Sequence, residues 1–234
     1  MSVSGGRYVP RNFDPTLMSV SCRVLFQAHK WPSPTSNLLV QKRCYSSNLG
    51  KVLGPRRAIV YKERGNPHDV LYATTNTKPV ELGGGQILVK FLMSAINPAD
   101  LNVIEGAYPK KPELTKDFDL VNGDVYMAGN EGVAQVIAVG ESALSNGVSK
   151  NLRVSVGDWV LIDKPQMGTW TNWKVVQSTD IIRVPRRDSD SKITEPMAAT
   201  MMVNPLTAIG LLSDINRIQD SHFVLQNGAN SAVK

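Results

Sequence analysis

Thiols and imidazoles are scarce in this chain, and each shortage removes a class of chemistry. Of 234 residues only two are cysteine, Cys22 and Cys44, both within the first fifty positions. Beyond them no disulfide, Cys-ligated metal or thiol nucleophile can be assembled. After position 50 the only histidines are His68 and His222, in unrelated contexts. No apolar run approaches the roughly 20 residues of a membrane-spanning helix. With 42% hydrophobic and 20% charged residues, the composition is that of a soluble protein with one or two cores.

Acids are missing from the front. Residues 1 to 50 hold six cations (Arg7, Arg11, Arg23, Lys30, Lys42, Arg43) against Asp14 alone, so +5 of the net +6 sits there. The remainder is close to neutral, which argues against a nucleic-acid surface. The front is also rich in serine and has no compact apolar core, as in an organellar transit peptide. It ends in Lys42-Arg43-Cys44-Tyr45-Ser46-Ser47, which resembles the junctions where mitochondrial presequences are cut. The expectation is a leader over residues 1–48 that takes both cysteines with it, with Met18 as an alternative start, and a disordered basic tail as the plainer reading.

From Leu53 the pattern turns to short strands between turn residues. RAIVYK, HDVLYAT and QILVKFLM come first, separated by Arg64-Gly65-Asn66-Pro67 and Gly83-Gly84-Gly85. Asn97 then reads as the N-cap of a short helix with Pro98 in its first turn. Residues 105 to 128 read as a long connection, a length that usually marks function or mobility. Strand signals return in GVAQVIAVG, GDWVLI, TNWKVVQ and DIIRVP, so residues 53–190 form a β-rich unit, expected to be a barrel. Thr194 to Met202 is helix-prone, and a further helix is expected with Asn204 as N-cap and Pro205 behind it. The apolar run Phe223-Val224-Leu225 followed by Asn227 and Gly228 reads as a buried strand entering a tight turn.

The segments AINPADLNVIEGAYPKKPEL, AGNEGVAQVIAVG, GDWVLIDKPQMGTW, MMVNPLTAIGLL and QNGANSAVK, in that order, resemble the mitochondrial trans-2-enoyl-thioester reductases, fungal members above all. These belong to the zinc-free part of the medium-chain dehydrogenase/reductase superfamily. The resemblance runs from about residue 57 to 234. It implies an α/β fold with a β-rich GroES-like barrel domain followed by the start of a Rossmann domain, here residues 194–234. In the family the chain continues well past this turn, so a truncated record is expected, inactive on its own and a poor holder of cofactor.

The chemistry can be argued alongside. Related zinc alcohol dehydrogenases carry Gly-His-Glu with a metal-binding His; the matching run here is Gly129-Asn130-Glu131-Gly132. Asn is a poor zinc ligand, and no set of three protein ligands can be gathered, so no metal is expected. Saturating a C=C beside a thioester carbonyl takes hydride at the β carbon and a proton at the α carbon. A phenol, with its ordinary pKa of about 10, carries such a proton.

Tyr108 matches the family's proton donor, although a Tyr in a Gly/Pro loop is by itself more often a rim residue. Tyr126 is the rival from the same connection. Asn204 matches a nucleotide contact as well as an N-cap. Asn230, Ser231, Ala232 and Val233 match the cofactor loop, which is not a G-x-G-x-x-G, and Ala232 departs from the Gly of many relatives. Trp159, Trp170 and Trp173 read as barrel filling, with Gly168-Thr169-Trp170 matching a motif near the cleft. Lys110-Lys111 is either a solvated pair or a docking point for an acidic carrier protein.

What the resemblance implies is NADPH-dependent reduction of trans-2-enoyl thioesters carried on acyl carrier protein or CoA, in the mitochondrial matrix. Homodimerisation is expected of the full-length form, with neither nucleic acid nor membrane as partner. A quinone or enone reductase of the same superfamily and a non-catalytic product are the alternatives.

Overall fold

The computed structural model describes residues 53–77, 80–108, 112–115, 123–140, 154–185, 192–214, 218, 222–228, 231 and 233. The expected leader with both cysteines lies outside the described residues, as do Lys110, Lys111, Asn230 and Ala232.

The β-rich part is built as two antiparallel sheets. In the first, β1 (Arg56–Tyr61) pairs on one edge with β2 (Tyr72–Asn76), from Arg56 opposite Asn76 to Val60 opposite Tyr72. Its other edge takes β5 (Val125–Met127), which in turn pairs with β4 (Leu114–Thr115). The second sheet has the order β8-β3-β6-β7-β9, with β3 (Gln86–Ser94) and β6 (Gly132–Val139) at its centre. Strands β7 (Trp159–Ile162), β8 (Trp173–Gln177) and β9 (Ile181–Arg183) complete it. Among the described residues an isolated bridge, Ala58 to Thr171, joins the sheets. Asn172 reinforces it: its Oδ1 accepts from Arg57 N at 2.8 Å and its Nδ2 donates to Pro55 O at 3.0 Å.

Alternation along the strands decides where the cores lie. Ile87, Val89 and Phe91 of β3 meet Ala134 and Val136 of β6 and Val160 and Ile162 of β7 in the main core. Fully burying each such aliphatic side chain contributes about 1.5–3 kcal/mol. All four residues of β7 are buried, because its second face is covered too. There Trp159 and Leu161, with Val133, pack on Ala198 and Ala199 of a short helix, with Met201 and Met202 at the margin. This second core is what carries the chain after Ala199 back to the start of β6.

The α-helices with described bounds are α1 (Pro67–Val70), α2 (Pro98–Glu105), α3 (Glu195–Ala199) and α4 (Asn204–Ser213), and Ser178–Asp180 adds a 3-10 turn. Several departures from the sequence reading have local causes. His68, Asp69 and Val70 were expected in a strand; they form α1 instead, because the Asn66 side chain accepts from His68 N and Pro67 sits in the first turn, as at helix starts generally. The connection 105–128 is not loop throughout, since β4 and β5 lie within it and Tyr126 is a strand residue. Helix α3 stops at Ala199, where the Thr200 hydroxyl donates back to Pro196 O at 2.9 Å.

Two expectations near the carboxyl end change more. Asn204 is the first helical residue of α4, and Val203 holds the cap position. Phe223, Val224 and Leu225 form no strand and are exposed, not buried. A parallel strand is stabilised by ladder partners, and among the described residues none flanks this run.

Candidate active site

Four of the motifs picked out in the sequence converge on one buried carboxylate. Glu131 stands immediately before β6 with 1% of its surface exposed. A carboxylate removed from water must recover its hydrogen bonds inside the protein. Here Oε1 accepts from Asn97 Nδ2 at 2.7 Å, while Oε2 accepts from the backbone N–H groups of Met202 at 3.1 Å and Val203 at 3.0 Å. The Asn97 Oδ1 in turn accepts from Asn204 Nδ2 at 3.1 Å. The N-cap of α2, the entry to β6 and the approach to α4 are thereby tied together.

The backbone around Glu131 is fixed by the Gly168-Thr169-Trp170 segment. Gly168 N and Thr169 N donate to Gly129 O at 3.1 and 3.2 Å, and the Thr169 hydroxyl donates to Glu131 O at 2.9 Å. Ser94 Oγ donates to Thr169 O at 2.7 Å, and the Trp170 indole N–H to Ala95 O at 2.9 Å. Gly129 has φ +97, and a Cβ there would stand 2.4 Å from Trp170 Cδ1 and 2.8 Å from the Trp170 nitrogen. Only glycine meets both the left-handed backbone and the close approach.

Asp100 is a second buried carboxylate. In the first turn of α2 its Oδ2 accepts from Asn97 N at 2.7 Å, the return half of a capping box, and its Oδ1 accepts from Asn130 N at 2.9 Å; capping boxes work this way in general. Burial pushes its pKa up to about 6; the N–H donors of Asn97 and Asn130 pull the other way, and the Glu131 charge adds to the rise. The neutral form is favoured chiefly because an anion is costly away from water. Asn130, standing where the zinc enzymes have His, thus uses its backbone to hold Asp100. Among the described residues, no group of three His, Cys, Asp or Glu is placed to hold a metal.

A small recess adjoins this region, walled among others by Tyr61, Asp100, Met127, Gly129, Asn130 and Gln166. Tyr108 is not one of its walls. It follows α2 after Gly106, which closes the helix with φ +89. Tyr108 N donates to Asn102 O at 3.3 Å, and the Arg64 guanidinium donates to Tyr108 O at 3.4 Å, leaving the residue 45% exposed. Tyr126 instead turns its ring onto Tyr61, with centroids 5.2 Å apart. Burial raises the Tyr61 pKa to about 12; the Arg64 charge opposes the rise and Tyr126 adds to it.

Of the other residues singled out in the sequence, Trp159 and Trp173 are buried in β7 and β8, and Trp170 lies in the loop before β8. Ser231 and Val233 belong to a terminal turn in which Ser231 N donates to Gly228 O at 2.8 Å and Ser231 Oγ to Val233 O at 2.8 Å. Among the described residues no hydrogen bond links that turn to Asn204 or Tyr108. Asn97, Glu131 and Thr169 were not foreseen as site residues. The available signal was an acid flanked by glycines at the mouth of an apolar strand, Gly129-Asn130-Glu131-Gly132, where an unpaired carboxylate could not remain.

Residues 83–186 match the family Alcohol dehydrogenase GroES-like domain. The chain is 36% identical over 179 residues to the Enoyl-[acyl-carrier-protein] reductase, mitochondrial, of Arabidopsis thaliana, an alignment covering 76% of this chain and 41% of that protein. It is also similar to the mitochondrial 2-enoyl thioester reductase Etr1p/Etr2p heterodimer from Candida tropicalis, at 32% identity and a TM-score of 0.62, over 70% of this chain and 45% of the other. The Etr1p complex with NADP and crotonyl-CoA gives 31% identity at the same TM-score of 0.62, with the same coverage of 70% and 45%. The chain therefore spans about two fifths of the length of the curated relatives it matches, 41% in the Arabidopsis case.

Proposed function

We propose that the chain belongs to the mitochondrial enoyl-[acyl-carrier-protein] reductases of the medium-chain dehydrogenase/reductase superfamily and that the protein carries out their reaction, NADPH-dependent reduction of trans-2-enoyl thioesters. The observation that carries this reading is the convergence of the Asn97, Glu131, Thr169 and Asn204 motifs on one buried network. It is supported by the relatives' names and by the solved relative bound to NADP and crotonyl-CoA.

NADPH, when bound, supplies the hydride for the β carbon. The residues present fit part of such a ligand. Asn204 stands at the first turn of α4, with its Nδ2 occupied by Asn97 and its oxygen left to accept. Ser231 and Val233 lie in the terminal turn, and Asn230 and Ala232 complete the tetrapeptide in sequence. Tyr108 is the proton donor: its O–H gives the proton to the α carbon, and the electrons of that bond stay on the phenolic oxygen. Its exposure is compatible with meeting a substrate from solvent. The substrate class is acyl thioesters on acyl carrier protein or CoA, the compartment the mitochondrial matrix, and the assembly a homodimer of the full-length form.

The test is oxidation of NADPH by the full-length form of the protein with crotonyl-CoA, with a small quinone in parallel. Consumption with the thioester and little with the quinone supports the reading. Turnover of the quinone alone points to the quinone reductases of the same superfamily, and no cofactor binding at all points to a non-catalytic product.

A further inference from the structure

The hydrogen bonds that join Glu131 to Asn204 have a direction. A carboxylate only accepts, so Glu131 Oε1 obliges Asn97 to present its Nδ2, across 2.7 Å. The other end of that amide, Oδ1, then faces Asn204 and obliges it to present its own Nδ2, at 3.1 Å. An amide has one donor end and one acceptor end. With its nitrogen turned inward, Asn204 offers an oxygen to whatever occupies the cleft. Asn97 is 8% exposed, so water does not readily satisfy it in the reverse orientation.

We propose that Glu131 is a positioning residue which, through Asn97, sets the hydrogen-bond polarity of Asn204, so that Asn204 recognises a ligand group that donates, such as a carboxamide N–H. The identification of that ligand with the nicotinamide end of the cofactor rests on the function proposed above; the relay itself does not.

The arrangement makes an unusual demand on the isosteric variant. Glu131 Oε2 is held by two backbone donors, Met202 N at 3.1 Å and Val203 N at 3.0 Å. In Glu131→Gln the surviving oxygen stays at that corner, because an amide nitrogen there would face two donors. The new Nε2 takes the other corner and meets Asn97 Nδ2 donor to donor. Asn97 turns over, and Asn204 follows. One substitution two residues away in the relay thus reverses the group shown to the cleft from acceptor to donor, with no change of shape at Asn204 itself.

Side-chain amide proton exchange, measured by NMR on the purified protein with labelled asparagine and no cofactor, tests the relay. The Asn204 Nδ2 protons are expected to exchange at least about tenfold faster in Glu131→Gln, while the backbone amides of Met202 and Val203 stay protected. Unchanged Asn204 exchange, or loss of protection at Met202 and Val203, overturns the relay. Asn97→Ala, which cuts the connection, should release the same Asn204 protons and serves if Glu131→Gln does not fold. The second readout, on the full-length form of the protein, compares NADPH with its 3-acetylpyridine analogue, which keeps the carbonyl acceptor but has no N–H. The preference for NADPH should fall about tenfold in Glu131→Gln, whereas general damage would weaken both ligands alike. Faster Asn204 exchange with an unaltered ligand preference supports the relay and counts against the nucleotide role of Asn204.

Discussion

The Asn97 amide donates to the Glu131 carboxylate across 2.7 Å in the protein interior. The hydrogen bonds this carboxylate accepts come from an amide and two backbone N–H groups, not from a cation. The negative charge is spread over three fixed dipoles, which both satisfies it and fastens the approach to α4 onto the β-rich unit.

Removing the acceptor should therefore cost more than the side chain's volume implies. Glu131→Ala leaves three buried or half-buried donors without a partner, and stability should fall by about 3 kcal/mol or more. Denaturant unfolding monitored by circular dichroism reads this, and a loss under about 1 kcal/mol would show that water replaces the carboxylate.

Asp100 gives a pH dependence of stability. Its folded pKa of about 6 lies above the ordinary 3.8, so between these values the folded state binds the proton more tightly than the unfolded chain. Its contribution destabilises the fold above pH 6 and fades as pH falls toward 3.8, which makes stability rise on acidification through that window. Melting temperature followed from pH 7 to pH 4 should show this rise, and Asp100→Asn should flatten it.

Gly129 is the third point of test. Gly129→Ala meets both a backbone at φ +97 and a contact of 2.4 Å with Trp170. Neither is relieved by moving one flexible side-chain end, because the Trp170 nitrogen is also within 2.8 Å. A loss of about 2 kcal/mol or more is expected in chemical denaturation, with Gly123→Ala, where φ is +93 but nothing lies within 4 Å, losing less.

Much of this architecture was legible beforehand. Short runs rich in Val and Ile between turn residues, QILVKFLM and GVAQVIAVG, located β3 and β6. Asn97-Pro98 announced α2 by cap chemistry that acts within a few residues. What stayed hidden depended on distant partners. Strand β5 has three residues, too few for a pattern, and exists because Val60 and Tyr61 offer an edge. Asn204 carries the same local signature as an N-cap, yet its amide is claimed by Asn97, 107 positions away. Glu131 could be picked out as part of a motif, but that its oxygens serve Met202 and Val203 follows only from the packing of β7 against α3.

The most direct measurement is turnover of crotonyl-CoA by Tyr108→Phe in the full-length form of the protein, set beside NADPH affinity measured by fluorescence. The phenylalanine keeps the ring and removes only the O–H proposed above as the proton donor, so turnover should fall at least about a hundredfold with binding little changed. Turnover equal to that of the parent protein would contradict the account, because the α carbon would then be receiving its proton from another group.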